Sequence, residues 1–155
     1  MPQPNIEILD KSPEVMMINR VISHDDLIKC YVIRGIVFCE GQDIAYNIEH
    51  DDQELGSHHF LVEIQEEPVA TARMRIEPGY AKLERIAVRK KYRGQQIGAK
   101  LITDMLVFAQ KQGVSVAKLN AQSHLELYYQ SLGFETTGNT FEAAGIPHVP
   151  MQKKL

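Results

Sequence analysis

The sequence contains no tryptophan, only two cysteines and no long uninterrupted apolar segment. Its apolar stretch 32–39 is broken by Arg34 and Gly35, whereas a transmembrane helix needs about 20 predominantly apolar residues. Cys30 and Cys39 fall on one predicted helix, roughly 13 Å apart along its axis and on opposite faces, so we expect no disulfide between them. These shortages argue against a helical membrane protein and against a domain that depends on a disulfide.

The chain also lacks a strong excess of either charge. Its 17 Lys and Arg against 20 Asp and Glu give a net charge of −3, which argues against a general nucleic-acid binder. Residues 1–5 have neither the basic segment nor the apolar run of a secretory signal. We therefore expect a cytoplasmic protein, and a length of 155 residues fits a single domain spanning 1–155.

The stretch 83–112 combines a short apolar strand, a basic turn that contains glycine, and a long amphipathic helix. A helix start presents free backbone N–H groups and the positive end of the helix dipole, so it attracts anions. Gly94 and Gly98 would let a ligand approach the backbone there. Four cations precede the helix: Arg89, Lys90, Lys91 and Arg93. The local pattern fits either a site for a ligand with several phosphates or an ordinary turn with a solvated basic rim.

The segment 93–99, Arg-Gly-Gln-Gln-Ile-Gly-Ala, resembles the acyl-CoA pyrophosphate loop of the GNAT acetyltransferase superfamily, which usually reads Arg/Gln-x-x-Gly-x-Gly/Ala. Gln96 departs from that pattern, because it stands where the family usually has glycine. The ElaA-like branch of the superfamily also dispenses with this glycine. Several downstream segments resemble that branch in order and spacing: 119–122, 128–134, 145–148 and Met151.

The resemblance implies an α/β (α+β) GNAT fold, with a mixed, mostly antiparallel twisted sheet of about six or seven strands and helices on both faces. The sequence pattern itself predicts strands at 16–22, 60–64, 69–76, 80–88, 114–120, 134–141 and 146–153, with a peripheral strand at 6–9. It predicts helices from Ser23 to near Gly41, from Ile97 to Gln112 and from Ser123 to Leu132. A helix joins strands 80–88 and 114–120, so these two strands should be parallel.

The resemblance also implies that acetyl-CoA is the co-substrate. It assigns the pyrophosphate to the loop residues Arg93, Gly94, Gln95, Gln96, Ile97, Gly98 and Ala99. It implies that strands 80–88 and 114–120 splay apart and admit the pantetheine arm, which would bond to their exposed edges at Ile86, Ala87, Val88 and Asn120.

Glu84 has two interpretations. Alternation along its strand puts Glu84, Ile86 and Val88 on one face and leaves Glu84 partly buried. Burial would raise the pKa of Glu84 and suit a general base, whereas a salt bridge to Arg73 or Arg75 would lower it. The sequence leaves the catalytic base and the ion pair equally open.

Three other side chains are site candidates. Tyr129 falls on the family position whose phenol protonates the departing CoA thiolate, although a tyrosine on such a helix is usually a core residue. His148 matches an ElaA-like position near the acceptor, against the commoner case of a structural histidine. Arg34 could contact the acceptor, but a buried salt bridge is the favoured interpretation.

We therefore expect an N-acetyltransferase that moves an acyl group, most often acetyl, from acyl-CoA to an amine of a small molecule or peptide by direct attack in a ternary complex. A non-catalytic acyl-CoA sensor and an ATP-binding module are the alternatives, and the turn lacks the Gly-Lys-Ser/Thr of the latter. The acidic loop 41–57 lacks metal-ligand spacing, so no metal is expected. Neither nucleic acid nor a membrane is expected as a partner, and a homodimer is left open.

Overall fold

The computed structural model describes residues 16–155, so the strand expected at 6–9 lies outside the described residues. One eight-stranded sheet has the order β1-β2-β3-β4-β5-β8-β6, and β7 pairs with β8. Its strands are β1 Met16–Arg20, β2 His58–Ile64, β3 Glu67–Glu77, β4 Tyr80–Val88, β5 Val116–Gln122, β6 Glu135–Thr136, β7 Phe141–Ala143 and β8 Ile146–Lys154. Among the strands of residues 16–155, only the β4–β5 pair is parallel. The expected mixed, mostly antiparallel sheet is confirmed.

The eighth strand arises because the strand predicted at 134–141 is divided into β6 and β7. Between them the Thr137 N–H donates to the Pro150 carbonyl at 2.9 Å, but proline has no N–H with which to return a ladder bond. A Cβ atom on Gly138 would lie 2.9 Å from Pro150 Cγ. The prolines of β8 thus interrupt the pairing that sequence alternation suggested.

Helices cover both faces of the sheet. They are α1 His24–Arg34, which continues as a π-helical stretch Gly35–Glu40, then α2 Tyr46–Glu49, α3 Ile97–Lys111 and α4 Glu126–Ser131. The Ser23 hydroxyl caps α1 by accepting the Asp26 N–H at 3.1 Å, at the predicted start of this helix. Within residues 16–155, no helix is long and apolar enough to cross a membrane.

The sheet separates two apolar clusters. The larger contains α3 residues such as Leu101 and Met105 together with Leu83 of β4. The smaller contains α1 residues such as Cys30 and Ile33 together with Ala87 of β4. Cys30 and Cys39 are both free thiols, as predicted.

A bulge in β4 changes which side chains share a face. Thr71 pairs with Ala87 and Arg73 pairs with Glu84, so β4 holds one extra residue between these pairs. Arg85 lies at this bulge, and its φ is +52°. The predicted alternation is therefore wrong beyond Glu84. Glu84 shares the α1 face with Ala87, whereas Ile86 and Val88 pack with Leu83 against the α3 cluster.

A buried ion network fills the space between β3, β4 and the loop 41–57. The side chains of Arg34 and Arg73 are each 1% exposed. Arg34 donates to Glu49 at 2.5 Å and to Glu54 at 2.6 Å, and Arg73 also donates to Glu54. Asp51 accepts from Arg73 at 2.7 Å. Because all of these charges except that of Asp51 are buried, removing one partner leaves the others uncompensated.

We expect Arg73→Met to lower the free energy of unfolding by about 3–5 kcal/mol, because three carboxylates lose a buried cation. Urea unfolding of the purified variant measures this loss. Glu67→Gln is the matched control, since it breaks the exposed ion pair with Arg89 and should cost less than about 1 kcal/mol. Equal effects of the two substitutions would contradict the network's structural role.

Candidate active site

The site begins where β4 and β5 stop pairing. Their parallel register is confined to Ala81 with Ala117 and Lys82 with Lys118. Beyond Lys82 the strands separate, and residues of both strands line a cavity of about 740 Å³. The splayed strands implied by the family resemblance are thus present.

The cavity gathers most of the predicted cofactor residues. Ten of the eleven line it, namely Ile86, Ala87, Val88, Arg93, Gly94, Gln96, Ile97, Gly98, Ala99 and Asn120. Gln95 is the exception among them. One continuous wall therefore connects the open strand edges to the start of α3.

The start of α3 has the backbone geometry of an anion site. Its first helical hydrogen bond runs from the Lys100 N–H to the Gln96 carbonyl at 3.1 Å. The N–H groups of residues 97–99 therefore have no helical acceptor, and the helix dipole adds positive potential beside them. Gly94 enters this turn with a φ of +79°. The Arg93 Nε donates to the Val88 carbonyl at 2.8 Å, which ties the loop to the end of β4.

Gln96 occupies the left-handed region, with φ +63° and ψ +14°. This conformation explains why the GNAT loop usually has glycine at the position, since glycine alone adopts it without steric cost. Gln96 keeps the loop's shape with a non-glycine residue and without a side-chain cap on the helix. The departure from the usual motif is therefore a substitution within the same backbone geometry.

Tyr129 lies in the cavity wall and is 7% exposed. Its ring packs edge-on against Phe134 and Tyr128, with centroids 6.0 and 5.2 Å away. Burial, and to a smaller extent the neighbouring Tyr128, raises the pKa of the Tyr129 phenol well above its usual range. The hydroxyl therefore stays protonated at neutral pH and is available as a proton donor.

Tyr128 also lines the cavity, although the sequence analysis did not assign it a role. It is 38% exposed, and burial raises the pKa of its phenol. A Cβ atom on Gly98 would lie 2.9 Å from the Tyr128 hydroxyl. Gly98 thus leaves room for this hydroxyl beside the start of α3, a contact that no local sequence signal indicates.

Glu84 lines the cavity, but arginines hold both of its carboxylate oxygens. Arg75 donates to Oε1 at 2.7 Å and Arg73 donates to Oε2 at 2.7 Å. Burial alone would raise the pKa of Glu84, yet the hydrogen bonds and charges of Arg75 and Arg73 outweigh it and lower the pKa. These contacts favour the ion pair and make Glu84 a weak base.

Arg34 is turned away from the cavity and belongs to the buried network. Its guanidinium donates to Glu49 and Glu54 and lies 5.4 Å from the centre of the Tyr31 ring. These contacts favour the salt-bridge interpretation over contact with an acceptor.

His148 stands in the cavity wall opposite β4, on β8. Its Nδ1 lies 2.7 Å from the Ile146 carbonyl, and its ring stacks on Phe141 at 5.8 Å. Because a carbonyl only accepts, Nδ1 carries a proton, which leaves the Nε2 lone pair of a neutral ring free. Unlike Glu84, His148 therefore offers a free acceptor nitrogen.

Two glutamines of the cavity wall make a contact that no local sequence signal indicates. The side-chain amides of Gln42 and Gln122 form two reciprocal hydrogen bonds of 2.8 and 2.9 Å, although 80 residues separate them in the chain. Both residues line the cavity. Among residues 16–155, no group of three or more His, Cys, Asp and Glu is placed to hold a metal ion.

The chain is similar in sequence to known acetyltransferases. A family model described as an acetyltransferase (GNAT) domain matches residues 39–155. The N-acetyltransferase YjcF of Bacillus subtilis, itself uncharacterised, is 33% identical over 84% of this chain and 94% of its own length. Escherichia coli ElaA is 31% identical over 79% of this chain and 84% of its own length.

Solved structures agree in fold. The crystal structure of Escherichia coli ElaA superposes with a TM-score of 0.81 and 25% identity, over 89% of this chain and 99% of that one. A GNAT family acetyltransferase from Elizabethkingia anophelis with acetyl-CoA bound has a TM-score of 0.72 and 17% identity, over 92% of this chain and 99% of that one. The second likeness supports the fold alone.

The left-handed conformation of Gln96 gives a stability prediction. Gln96→Gly should change the free energy of unfolding by less than about 1 kcal/mol, because relief of the backbone strain is offset by the greater freedom of glycine in the unfolded chain. Gln96→Val should cost about 1–2 kcal/mol more, since a β-branched residue resists positive φ. Urea unfolding of both variants tests this, and a valine variant as stable as the parent would refute the assigned conformation.

Proposed function

The chain belongs to the GNAT acetyltransferase family, in its ElaA-like branch, and from that premise we propose that it transfers acetyl from acetyl-CoA to the amine of a small molecule or peptide. The transfer takes place by direct attack within a ternary complex in a single domain. The observation that carries this proposal is the cleft between β4 and β5, which runs from the free N–H groups of α3 past the Tyr129 hydroxyl.

The residues present fit acetyl-CoA, which supplies the activated acyl group. The N–H groups of residues 97–99 and Arg93 suit the pyrophosphate, because they offer fixed donors and positive potential. Within the described residues 16–155, the β4 edge that faces β5 has no ladder partner beyond Lys82, so its polar groups can hydrogen-bond the pantetheine arm. Asn120 faces the same gap from β5.

Each chemical step has a group of this chain to perform it. Backbone N–H groups of β4 donate to the thioester oxygen, where negative charge develops during attack. The Tyr129 hydroxyl donates a proton to the departing sulfur, and its raised pKa keeps that proton in place until it is needed.

Of the two roles that the sequence left open for Glu84, the contacts of its carboxylate favour the ion pair over the general base. With both oxygens held by Arg73 and Arg75, Glu84 has little tendency to accept a proton. We assign the role to the Nε2 atom of His148, directly or through a water molecule, since its Nδ1–H is fixed on the Ile146 carbonyl. Glu84 then serves as the carboxylate partner of Arg73 and Arg75.

The first test concerns acetyl-CoA binding. Acetyl-CoA at about a hundred times its Kd should stabilise the protein by roughly 2.7 kcal/mol, and ATP should not. Gly98→Asp should abolish this stabilisation, because it puts a negative charge beside the phosphate donors. Gly98→Ala separates charge from size. Its Cβ atom would lie 2.9 Å from the Tyr128 hydroxyl and 3.6 Å from Val88 Cγ2, so a shift of the Tyr128 side chain can accommodate it and it should lose far less affinity in calorimetry. Equal binding by folded Gly98→Asp would place the ligand elsewhere.

The second test separates an enzyme from an acyl-CoA sensor. Tyr129→Phe should lower turnover by roughly 10²-fold with little change in the KM for acetyl-CoA, because the proton is transferred only in the transition state. Tyr128→Phe removes the neighbouring hydroxyl and is the matched control.

Because burial raises the pKa of Tyr129, the parent should not lose this acid as the pH rises through about 10, where an exposed phenol ionises. Unchanged turnover in Tyr129→Phe would make Tyr129 a core residue.

A further inference from the structure

Lys82 is a cation in the cavity wall that the mechanism above does not use. Its neighbours Ala81 and Leu83 are buried in the α3 cluster, so its side chain points to the opposite face of β4, the face that carries Glu84. It is half-buried and lines the cavity. Among residues 16–155, no carboxylate lies within 4.0 Å of its ammonium group.

The neighbouring charges are already paired. Of the lysines and arginines that line the cavity, Arg85 binds Asp51 at 3.2 Å, and Arg93 lies at the pyrophosphate loop. The two carboxylates of the wall, Glu49 and Glu84, are held by arginines of the buried network. Lys82 is therefore the cation of the inner cavity that has no partner in the described chain.

Its position along the cleft is also specific. Lys82 forms the last parallel pair, with Lys118, so it stands at the closed end of the gap between β4 and β5. Val88 and the pyrophosphate loop stand at the other end, six residues along β4, which is about 20 Å in an extended strand. If the pyrophosphate lies at the loop, the reacting thioester lies between the two ends, and Lys82 lies beyond it on the acceptor side.

We propose that Lys82 binds a carboxylate of the acceptor, so that the substrates are amines that also carry a carboxylate group. This inference rests on the proposed function and names its substrate class. A single ammonium group matches the single charge of a carboxylate, whereas a phosphate dianion would call for more donors or a bidentate arginine. Burial lowers the pKa of Lys82, and a bound carboxylate would oppose that shift.

The experiment measures the Kd of ω-amino acids of increasing chain length for the CoA-saturated protein, each compared with its primary carboxamide. The carboxamide keeps the amine and the shape but removes the charge. At the best chain length the carboxylate should bind at least about 10-fold more tightly than the carboxamide. In Lys82→Gln this ratio should fall to about one, and in Lys82→Arg it should be retained in part.

Lys118→Gln is the matched control. Lys118 pairs with Lys82 across the sheet, but its ammonium lies 4.3 Å from the centre of the Tyr80 ring. It does not belong to the cavity wall, so its removal should leave the ratio unchanged. A parent protein without preference for the carboxylate, or a preference that survives in folded Lys82→Gln, would overturn the proposal. Tighter binding of an aminoalkyl phosphonate of equal length would overturn the assignment to a carboxylate.

Failure of the proposed function has a different signature. It would appear as a protein that does not bind acetyl-CoA, or that releases no CoA with any amine. In that case the Kd values of the carboxylate and the carboxamide are measured with the free protein. Their ratio still decides whether Lys82 binds a carboxylate in preference to a carboxamide.

Discussion

The separation of β4 from β5 after Lys82 is the constraint on which the rest of the site depends. The other edge of β5 pairs with β8 in a seven-residue antiparallel ladder. On β4, the parallel register ends at Lys82, and the bulge at Arg85 follows three residues later. Arg85 is held there by the Glu49 carbonyl at 3.1 Å and by Asp51 at 3.2 Å. The buried ion network thus supports the bulge, and the bulge in turn accompanies the opening of the cleft.

The cleft differs in electrostatic character along its length. At its outer end the α3 N–H groups and the helix dipole offer positive potential. At its inner end lies the ammonium group of Lys82, which has no carboxylate partner among residues 16–155. Tyr129, a neutral phenol whose burial keeps it protonated, also lines the cleft. This distribution of charge suits a co-substrate whose anionic end binds at the start of α3 and an acceptor whose anionic group binds at Lys82. The buried arginines add little positive potential to the cleft, because carboxylates already bind them.

Local sequence predicted the parts of this site that are local in the chain. The loop 93–99 and the start of α3 followed from a short motif, and Gln96 adopts a backbone conformation that the glycine of that motif leads one to expect. The face of β4 on which Glu84 lies relative to Ile86 and Val88 could not be predicted, because the bulge at Arg85 has a positive φ without a glycine in the sequence to indicate it. The ion pair of Glu84 with Arg73 or Arg75 was one of two interpretations of the sequence, whereas the contact of Arg73 with Asp51, 22 residues apart in the chain, has no local signal. Only once those long-range pairs are known does Lys82 stand out.

Amide hydrogen exchange with and without CoA tests most directly whether the β4–β5 cleft is the acyl-CoA site. CoA should slow exchange at the N–H groups of residues 97–99 and along the β5-facing edge of residues 83–88, because these donors gain acceptors only from the ligand. Exchange on α1 and β1 should change little. Protection confined to α1 and β1, with residues 83–99 unaffected by saturating CoA, would contradict the account.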